Sequence, residues 1–220
     1  AVVVCDGSGE AAHVCSSAAM LAVGDDWARR AAVSPGSVLS IVLMAGSFGT
    51  TKEVARVVAP PIGPKDPLRA RATLRAHVKD VIGKVEIPRE DASHRTRNYS
   101  DGIGALAFVT RLVREEKMQG VTLMIMTDGR WVSDKIMNAE RCVPTAVAVF
   151  VAAKEAGLDV DLSAASKVTV CGLNTEGMTP TNMTALDALV TGVIKLAHGP
   201  VPSIRSSCAN LSNHEGSDRP

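Results

Sequence analysis

Short apolar, β-branched runs alternate along this chain with stretches of helical periodicity, and this alternation constrains the fold more than any other feature. It is typical of a parallel sheet whose strands are joined by crossover helices. The sequence therefore predicts an α/β fold: a doubly wound, mostly parallel central sheet flanked by helices in three layers. The predicted strands are Val2–Cys5, Val38–Ala45, Val121–Met126 and Lys167–Leu173.

The segments between these strands are predicted to be helical where apolar residues recur every three or four positions. Residues 52–59 alternate in polarity and predict a short antiparallel edge strand, and residues 158–162 predict an edge strand or an insertion. The predicted helices are residues 11–32 with an interruption near 24–26, a helix opened by Asp66-Pro67, one opened by Ser100-Asp101 and reaching about 116, and residues 145–156 and 182–198.

The length of 220 residues suits one α/β domain, which we assign to residues 1–200, followed by a polar and loose tail at 201–220. Aromatic residues make up only 3% of the chain, so the core must be built from Ala, Val, Leu, Ile and Met. Because Val2–Cys5 already reads as a core strand, we expect further residues upstream of Ala1 in the natural chain.

The charge balance argues against two classes of partner. There are 24 basic and 23 acidic residues, and a net charge of +1 leaves little attraction for nucleic acid or an anionic membrane. No apolar run approaches the roughly 20 residues that a spanning helix needs, so we predict no membrane insertion in this segment.

Five cysteines are scattered along the chain without a C-x-x-C pair, which argues against a zinc or thioredoxin-like site. Cys5 and Cys171 lie in predicted strands and Cys15 and Cys142 in predicted helices, where a free cysteine acts as a small hydrophobic residue. The odd, unpatterned set favours a reducing, cytoplasmic location only weakly.

Three segments place short oxygen-bearing side chains where the predicted sheet would bind a ligand. In an open parallel sheet, ligands collect beyond the carboxyl ends of the strands, where the strand order reverses. The three segments are Asp6-Gly7-Ser8-Gly9-Glu10 after the first strand, Ser100-Asp101 before a helix, and Thr127-Asp128-Gly129 after the Val121 strand.

These segments resemble motifs of von Willebrand factor A domains. Residues 6–10 are similar to the D-x-S-x-S loop of the family's metal-ion-dependent adhesion site. Residues 99–106 (Tyr-Ser-Asp-Gly-Ile-Gly-Ala-Leu) are similar to its G-T-D-I-G-x-A-L segment, with Ser100 in the threonine position, and Thr127-Asp128-Gly129 matches its T-D-G. The order and spacing agree over about residues 2–198, so the resemblance implies the same Rossmann-like three-layer fold.

The resemblance also implies a site and a function. Ser8 and Ser100 would bind a metal ion through their hydroxyl oxygens, and Asp6 and Asp128 mostly through water. Such oxygen ligands suit Mg²⁺, with Mn²⁺ or Ca²⁺ as alternatives. The implied function is non-enzymatic: a protein partner's Asp or Glu carboxylate fills the open position on the ion.

Glu10 departs from the family pattern, which has a serine at this position. A carboxylate on the first helical turn could reach the ion and occupy the position meant for the partner. Glu10 therefore predicts either tighter metal binding with weaker capture of a partner, or a site that no longer binds metal.

Other functions compete with this interpretation. Each polar residue has a structural alternative, with Ser8 or Ser100 as a helix cap and Asp128-Gly129 as an ordinary turn, which would leave a metal-free scaffold. A hydrolase with Ser8 as nucleophile is disfavoured because the segment lacks the outer glycines of G-x-S-x-G. A nucleotide-binding protein is disfavoured because neither G-x-x-x-x-G-K-[ST] nor G-x-G-x-x-G is present.

Overall fold

The computed structural model describes residues 1–7, 15–44, 51–60, 66–85, 101–127, 145–173 and 180–208. Within these ranges the chain forms six strands and five helices. The strands are β1 (Val2–Asp6), β2 (Val38–Met44), β3 (Lys52–Val58), β4 (Val121–Met126), β5 (Ala165–Cys171) and β6 (Ser203–Arg205). The helices are α1 (Ser17–Ala31), α2 (Pro67–Gly83), α3 (Gly102–Glu115), α4 (Ala146–Glu155) and α5 (Pro180–Leu196).

All six strands belong to one sheet in the order β3-β2-β1-β4-β5-β6. Every neighbouring pair is parallel except β2 and β3, which are antiparallel. The predicted mostly parallel α/β sheet is therefore confirmed, and so is the antiparallel edge strand at residues 52–59. The strand order reverses between β1 and β4, because the chain moves outward from β1 to β3 and then returns to the other side of β1.

The sheet separates two hydrophobic cores because successive side chains of a strand point to opposite faces. Val2 and Val4 of β1 pack with α3, α4 and α5 on one face. Val3 and Cys5 pack with α1 and α2 on the other face. The result is three layers, with β1 buried completely between the two helical layers.

The helices begin where the sequence offers a capping oxygen. Asp66 accepts a hydrogen bond from the Arg69 backbone N–H at 2.9 Å and opens α2, and Thr145 accepts one from Ala148 at 3.2 Å and opens α4. Such caps satisfy backbone donors that a helix leaves free at its start. Both predicted helix starts are confirmed.

The prediction for the first helix is wrong in two respects. Helix α1 begins at Ser17, because Ser16 caps it by accepting from the Ala19 N–H at 3.3 Å, and residues 11–14 of the predicted helix lie outside the described residues. It also continues without interruption through Gly24. A Cβ atom at Gly24 would lie 2.4 Å from Cγ1 of Val78, so this glycine allows α1 and α2 to approach closely instead of breaking the helix.

Residues 158–162 are not a strand. The alternating pattern arises because Val160 and Leu162 are buried while Asp159 and Asp161 both pair with Arg114 of α3. The backbone of the segment also bonds outside the sheet, since the Leu162 N–H donates to the Ala197 carbonyl at 2.6 Å. An irregular segment that packs between helices thus imitates the period of a strand.

The expectation of a loose tail at 201–220 is also wrong for the part of it that the structure describes. Ser203–Arg205 forms β6 and pairs with β5, and Cys208 is buried. The rest of that tail, from residue 209, lies outside the described residues. Among the helices described, none combines the length and the apolar character that crossing a membrane requires.

Candidate functional site

The candidate site is the crevice at the carboxyl ends of β1 and β4. These strands are neighbours, and the chain leaves them towards opposite sides of the sheet, which is the position where ligands bind in doubly wound folds. Asp6 is the last residue of β1 and Thr127 directly follows β4. Because Cys5 and Met126 are in register, the next residue on each strand reaches the same edge. We call the carboxyl ends of β1 and β4 together the rim.

A hydrogen bond joins the two strands at the rim. The Thr127 hydroxyl Oγ1 donates to Oδ2 of Asp6 at 2.9 Å, and both residues are 0% exposed. The backbone N–H of Thr127 donates to the carbonyl of Cys171 at 3.1 Å, so this threonine is held from β5 as well. The first and third motif segments, 121 residues apart in sequence, therefore meet through their side chains.

Gly7 explains part of the first motif. Its backbone N–H donates to the Met44 carbonyl at 3.1 Å, which continues the β1–β2 ladder one residue past the strand. A Cβ atom at this position would lie 2.7 Å from Cδ1 of Leu43. Only glycine lets the backbone stay this close to β2 without moving the leucine side chain, so the segment that follows Asp6 starts from a fixed position.

The second motif segment opens α3, and its capping residue is Asp101. The Asp101 carboxylate accepts from the Gly104 N–H at 2.7 Å and is 6% exposed. The alternative in which Ser100 caps this helix is therefore wrong, because the neighbouring carboxylate already has that role. Ser100 itself lies outside the described residues.

The cysteines contradict the prediction that they are free. Cys5 and Cys15 form a disulfide with Cα atoms 5.6 Å apart, and Cys171 and Cys208 form a second with Cα atoms 5.1 Å apart. Scattered spacing gave no sign of this pairing because the partners meet only through the fold. The two bonds also remove the basis for expecting a reducing compartment, since disulfides persist mainly in oxidising ones. Cys142 lies outside the described residues.

Of the five residues predicted to bind metal, Asp6 is described and lies at the rim. The other four lie outside the described residues: Ser8, Glu10, Ser100 and Asp128. Within the described ranges, no group of three or more His, Cys, Asp or Glu side chains is suited to hold a metal ion. The sequence did not indicate the roles of Thr127 in holding Asp6, of Asp101 as the α3 cap, or of the two disulfides at this edge.

A cavity of about 460 Å³ lies at the other ends of the strands, away from the rim. It opens beside Trp27, Arg30 and Glu116 and is bordered by Val38 and Val121 at the starts of β2 and β4. Because ligands of doubly wound sheets bind at the carboxyl ends of the strands, this cavity is a weaker candidate than the rim.

Comparison of the sequence with protein-family models gives no match, and comparison with curated proteins gives none either. What the rim does must therefore be inferred from its own geometry and from the residues next to it in sequence.

Proposed function

We propose that this chain is a non-enzymatic protein-interaction module that binds an acidic side chain of a partner through a divalent metal ion at the rim. The observation that carries the proposal is the hydrogen bond from Thr127 to Asp6. It joins two of the three motif segments at the point where the strand order reverses.

The hydrogen bond and the packing that hold Asp6 support this proposal. A carboxylate held by a hydrogen bond from a buried hydroxyl keeps one orientation, which lowers the entropy lost when it takes part in binding. Asp6 also ends a strand that is buried on both faces, so its backbone is packed from both sides. Rigid support of this kind is what a preorganised binding site needs.

The residues next to the rim in sequence suit a hard cation. Asp6 and Thr127 contribute oxygen atoms, and the hydroxyls of Ser8 and Ser100 and the carboxylate of Asp128 would add further ones. Mg²⁺ prefers such oxygen ligands and keeps several waters, with Mn²⁺ or Ca²⁺ as alternatives. The ion would supply an electrophilic centre, and a partner's Asp or Glu would replace one of its waters.

A metal-free scaffold is the second candidate, and one observation favours it. Asp6 is completely buried and is already hydrogen-bonded to Thr127, which also suits a purely structural carboxylate. The two candidates differ in whether the rim binds a cation at all.

Calorimetric titration of the oxidised chain of residues 1–220 with Mg²⁺, and separately with Mn²⁺, tests the proposal. We expect a dissociation constant of 1 mM or below, on the order of that of extracellular Ca²⁺ modules. Asp6→Asn should weaken binding by at least ~10-fold and Thr127→Val by about 10-fold, because loss of a supporting group typically costs 10- to 100-fold in affinity. Thr127→Ser keeps the hydroxyl and should bind like the parent.

Asp161→Asn is the matched control, because it makes the same change in a carboxylate that pairs with Arg114 away from the rim. Its affinity should equal that of the parent. If the parent releases no heat with either ion up to roughly 10 mM, above the weakest range of protein Ca²⁺ sites, the metal-free scaffold is the better description.

A separate measurement tests the claim that the bound ion recognises a partner's carboxylate. Acetate added to the Mn²⁺-loaded chain should lower the relaxation rate of water protons, because a carboxylate replaces a water on the ion. Acetamide, which has the same shape and no charge, should have no effect. An equal response to both compounds would contradict recognition of an acidic side chain.

A further inference from the structure

The cavity beyond the amino ends of β2 and β4 lies entirely within the described part of the chain. Its volume of about 460 Å³ falls in the range of about 300–1,000 Å³ that is usual for small-molecule sites in proteins. Part of its wall is apolar and consists of Trp27, Ala31, Val38, Met118 and Val121. A ligand in this cavity would lie away from the rim and would touch none of its residues.

The charged side chains around the cavity leave one positive charge unmatched. Arg30 lines the cavity and pairs with Asp26 at 2.5 Å. Glu116 lines it as well and pairs with Arg56 at 3.0 Å. Lys117 is the remaining charged side chain of the lining, and it forms no ion pair with any described residue. The side chains therefore favour a ligand with a single negative charge.

Lys117 occupies a backbone position that glycine usually fills. Helices α3 and α4 end with the same pair of hydrogen bonds, in which the first residue past the helix has a left-handed backbone. In α4 this residue is Gly157, with a φ of 75°, whereas in α3 it is Lys117, with a φ of 51°. A residue with a side chain is strained at such a φ, and glycine is not. The fold thus carries a conformational cost at a lysine that lines the cavity.

A cation is a poorer match for the cavity than an anion. Helices α1 and α3 both end beside it, and the free carbonyls of a helix end attract positive charge. Several of these carbonyls are already occupied by the turns that follow the helices. They are the carbonyls of Ala28, Arg30 and Ala31 in α1 and of Leu112, Val113 and Arg114 in α3. The basic side chains are therefore the groups best placed to bind a charged ligand.

We propose that this cavity is a binding site for a small organic carboxylate. Lys117 and Arg30 bind the carboxylate group, and the apolar part of the ligand lies against the wall around Trp27. A guanidinium has five N–H donors, so Arg30 can pair with Asp26 and still donate to a ligand. The site is independent of the rim and of the function proposed for the rim.

The test titrates the metal-free chain of residues 1–220 with benzoate, benzamide and benzamidinium. These compounds have nearly the same shape and are negative, neutral and positive at neutral pH. Calorimetry gives the affinities. Fluorescence in a Trp131→Phe background locates the binding, because Trp27 is then the single tryptophan of the chain. We expect benzoate to bind with a dissociation constant on the order of 1 mM, as suits a ligand of this size, and the other two compounds to bind far more weakly.

Lys117→Gly is the main variant, because it removes the charge and relieves the strained φ at the same time. It should bind benzoate about 10-fold more weakly, as expected for the loss of a hydrogen bond to a charged group. Arg30→Gln should lose a similar amount. Lys117→Arg keeps the charge and should bind like the parent. Thermal melting and circular dichroism of each variant report on the fold independently of the ligand.

His198→Gly is the matched control for the backbone change. His198 has a φ of 61° and ends α5 with the same pair of hydrogen bonds, but it does not line this cavity. Its variant should bind benzoate like the parent. Asp6→Asn separates the cavity from the rim and should also leave the benzoate affinity unchanged.

Four results would overturn the inference. The first is that benzoate shows no saturable binding to the parent. The second is that benzamide or benzamidinium binds as tightly as benzoate. The third is that His198→Gly loses as much affinity as Lys117→Gly, and the fourth is that Asp6→Asn loses affinity while Lys117→Gly does not, which would place the carboxylate at the rim. The titrations with Mg²⁺ and Mn²⁺ decide the function of the rim separately.

Discussion

The centre of the sheet and its β6 edge differ in the interactions that stabilise them. At the centre, β1 and β4 are rich in Val, Ile, Leu and Met, and Leu123 is 0% exposed. At the edge, β6 has three residues, Ser-Ile-Arg, all partly or fully exposed. The centre is held by apolar contact on both faces, whereas the edge is attached through one short ladder, the packing of Ile204 and the Cys171–Cys208 disulfide.

This difference shows why the candidate site is at the centre. Side chains at the end of a doubly buried strand are fixed from both faces, so a polar group such as Asp6 keeps one position there. A short edge strand pairs with one neighbour only and offers less support. Binding groups are held more precisely on rigid elements, and the rim satisfies that condition better than the β6 edge.

The first comparison concerns the removal of each disulfide, where both variants are expected to lose several kcal/mol. C171A/C208A should lower the free energy of unfolding by about 4 kcal/mol and C5A/C15A by about 3 kcal/mol, because a cross-link over 37 residues restricts the unfolded chain more than one over 10. Urea denaturation measures both values. A larger loss in C5A/C15A would mean that the centre depends on its disulfide more than the edge does.

The second comparison truncates one apolar side chain in each region. Leu123→Ala in β4 should lower the free energy of unfolding by roughly 2–5 kcal/mol, because it leaves a cavity in a completely buried position. Ile204→Ala in β6 should cost only about 1 kcal/mol, since the isoleucine is partly exposed. Equal losses by urea denaturation would remove the distinction between a packed centre and an attached edge.

The smallest effect is expected at Asp161, away from both disulfides. A hydrogen bond from the Ser163 backbone N–H, with a further contribution from Arg114, lowers the pKa of this carboxyl below its ordinary value. A group whose pKa is lowered by folding stabilises the protein above its ordinary pKa and loses that contribution as the pH falls through the lowered value. Asp161→Asn should therefore cost less than about 1 kcal/mol at pH 7.

The pH dependence supplies the control for this last prediction. The difference in unfolding free energy between the parent and Asp161→Asn should shrink as the pH falls below about 4, where the ordinary aspartate pKa lies. A difference that stays constant between pH 7 and pH 2 would show that the asparagine disturbs packing and not charge.

Several parts of the fold could be predicted from the sequence because local patterns determine them. The apolar run Val121–Met126 can only be a buried element, and Asp66-Pro67 starts a helix by local capping chemistry. The local patterns gave wrong predictions where a residue that is distant in the sequence determines the structure. Gly24 looked like an interruption, and residues 158–162 looked like a strand, because the packing against α2 and α3 that explains them is not visible in the local sequence.

The sequence alone determined the order of β1 to β5 and of the helices between and after them, since hydrophobic period and helix caps act within a few residues of the chain. Only the tertiary structure decided which cysteines are bonded, that residues 203–205 join the sheet, and that Thr127 donates to Asp6. Each of these contacts joins residues 10 to 121 positions apart. The energy of each contact depends on how the whole chain folds. No pattern within a few residues can therefore predict which two residues will meet.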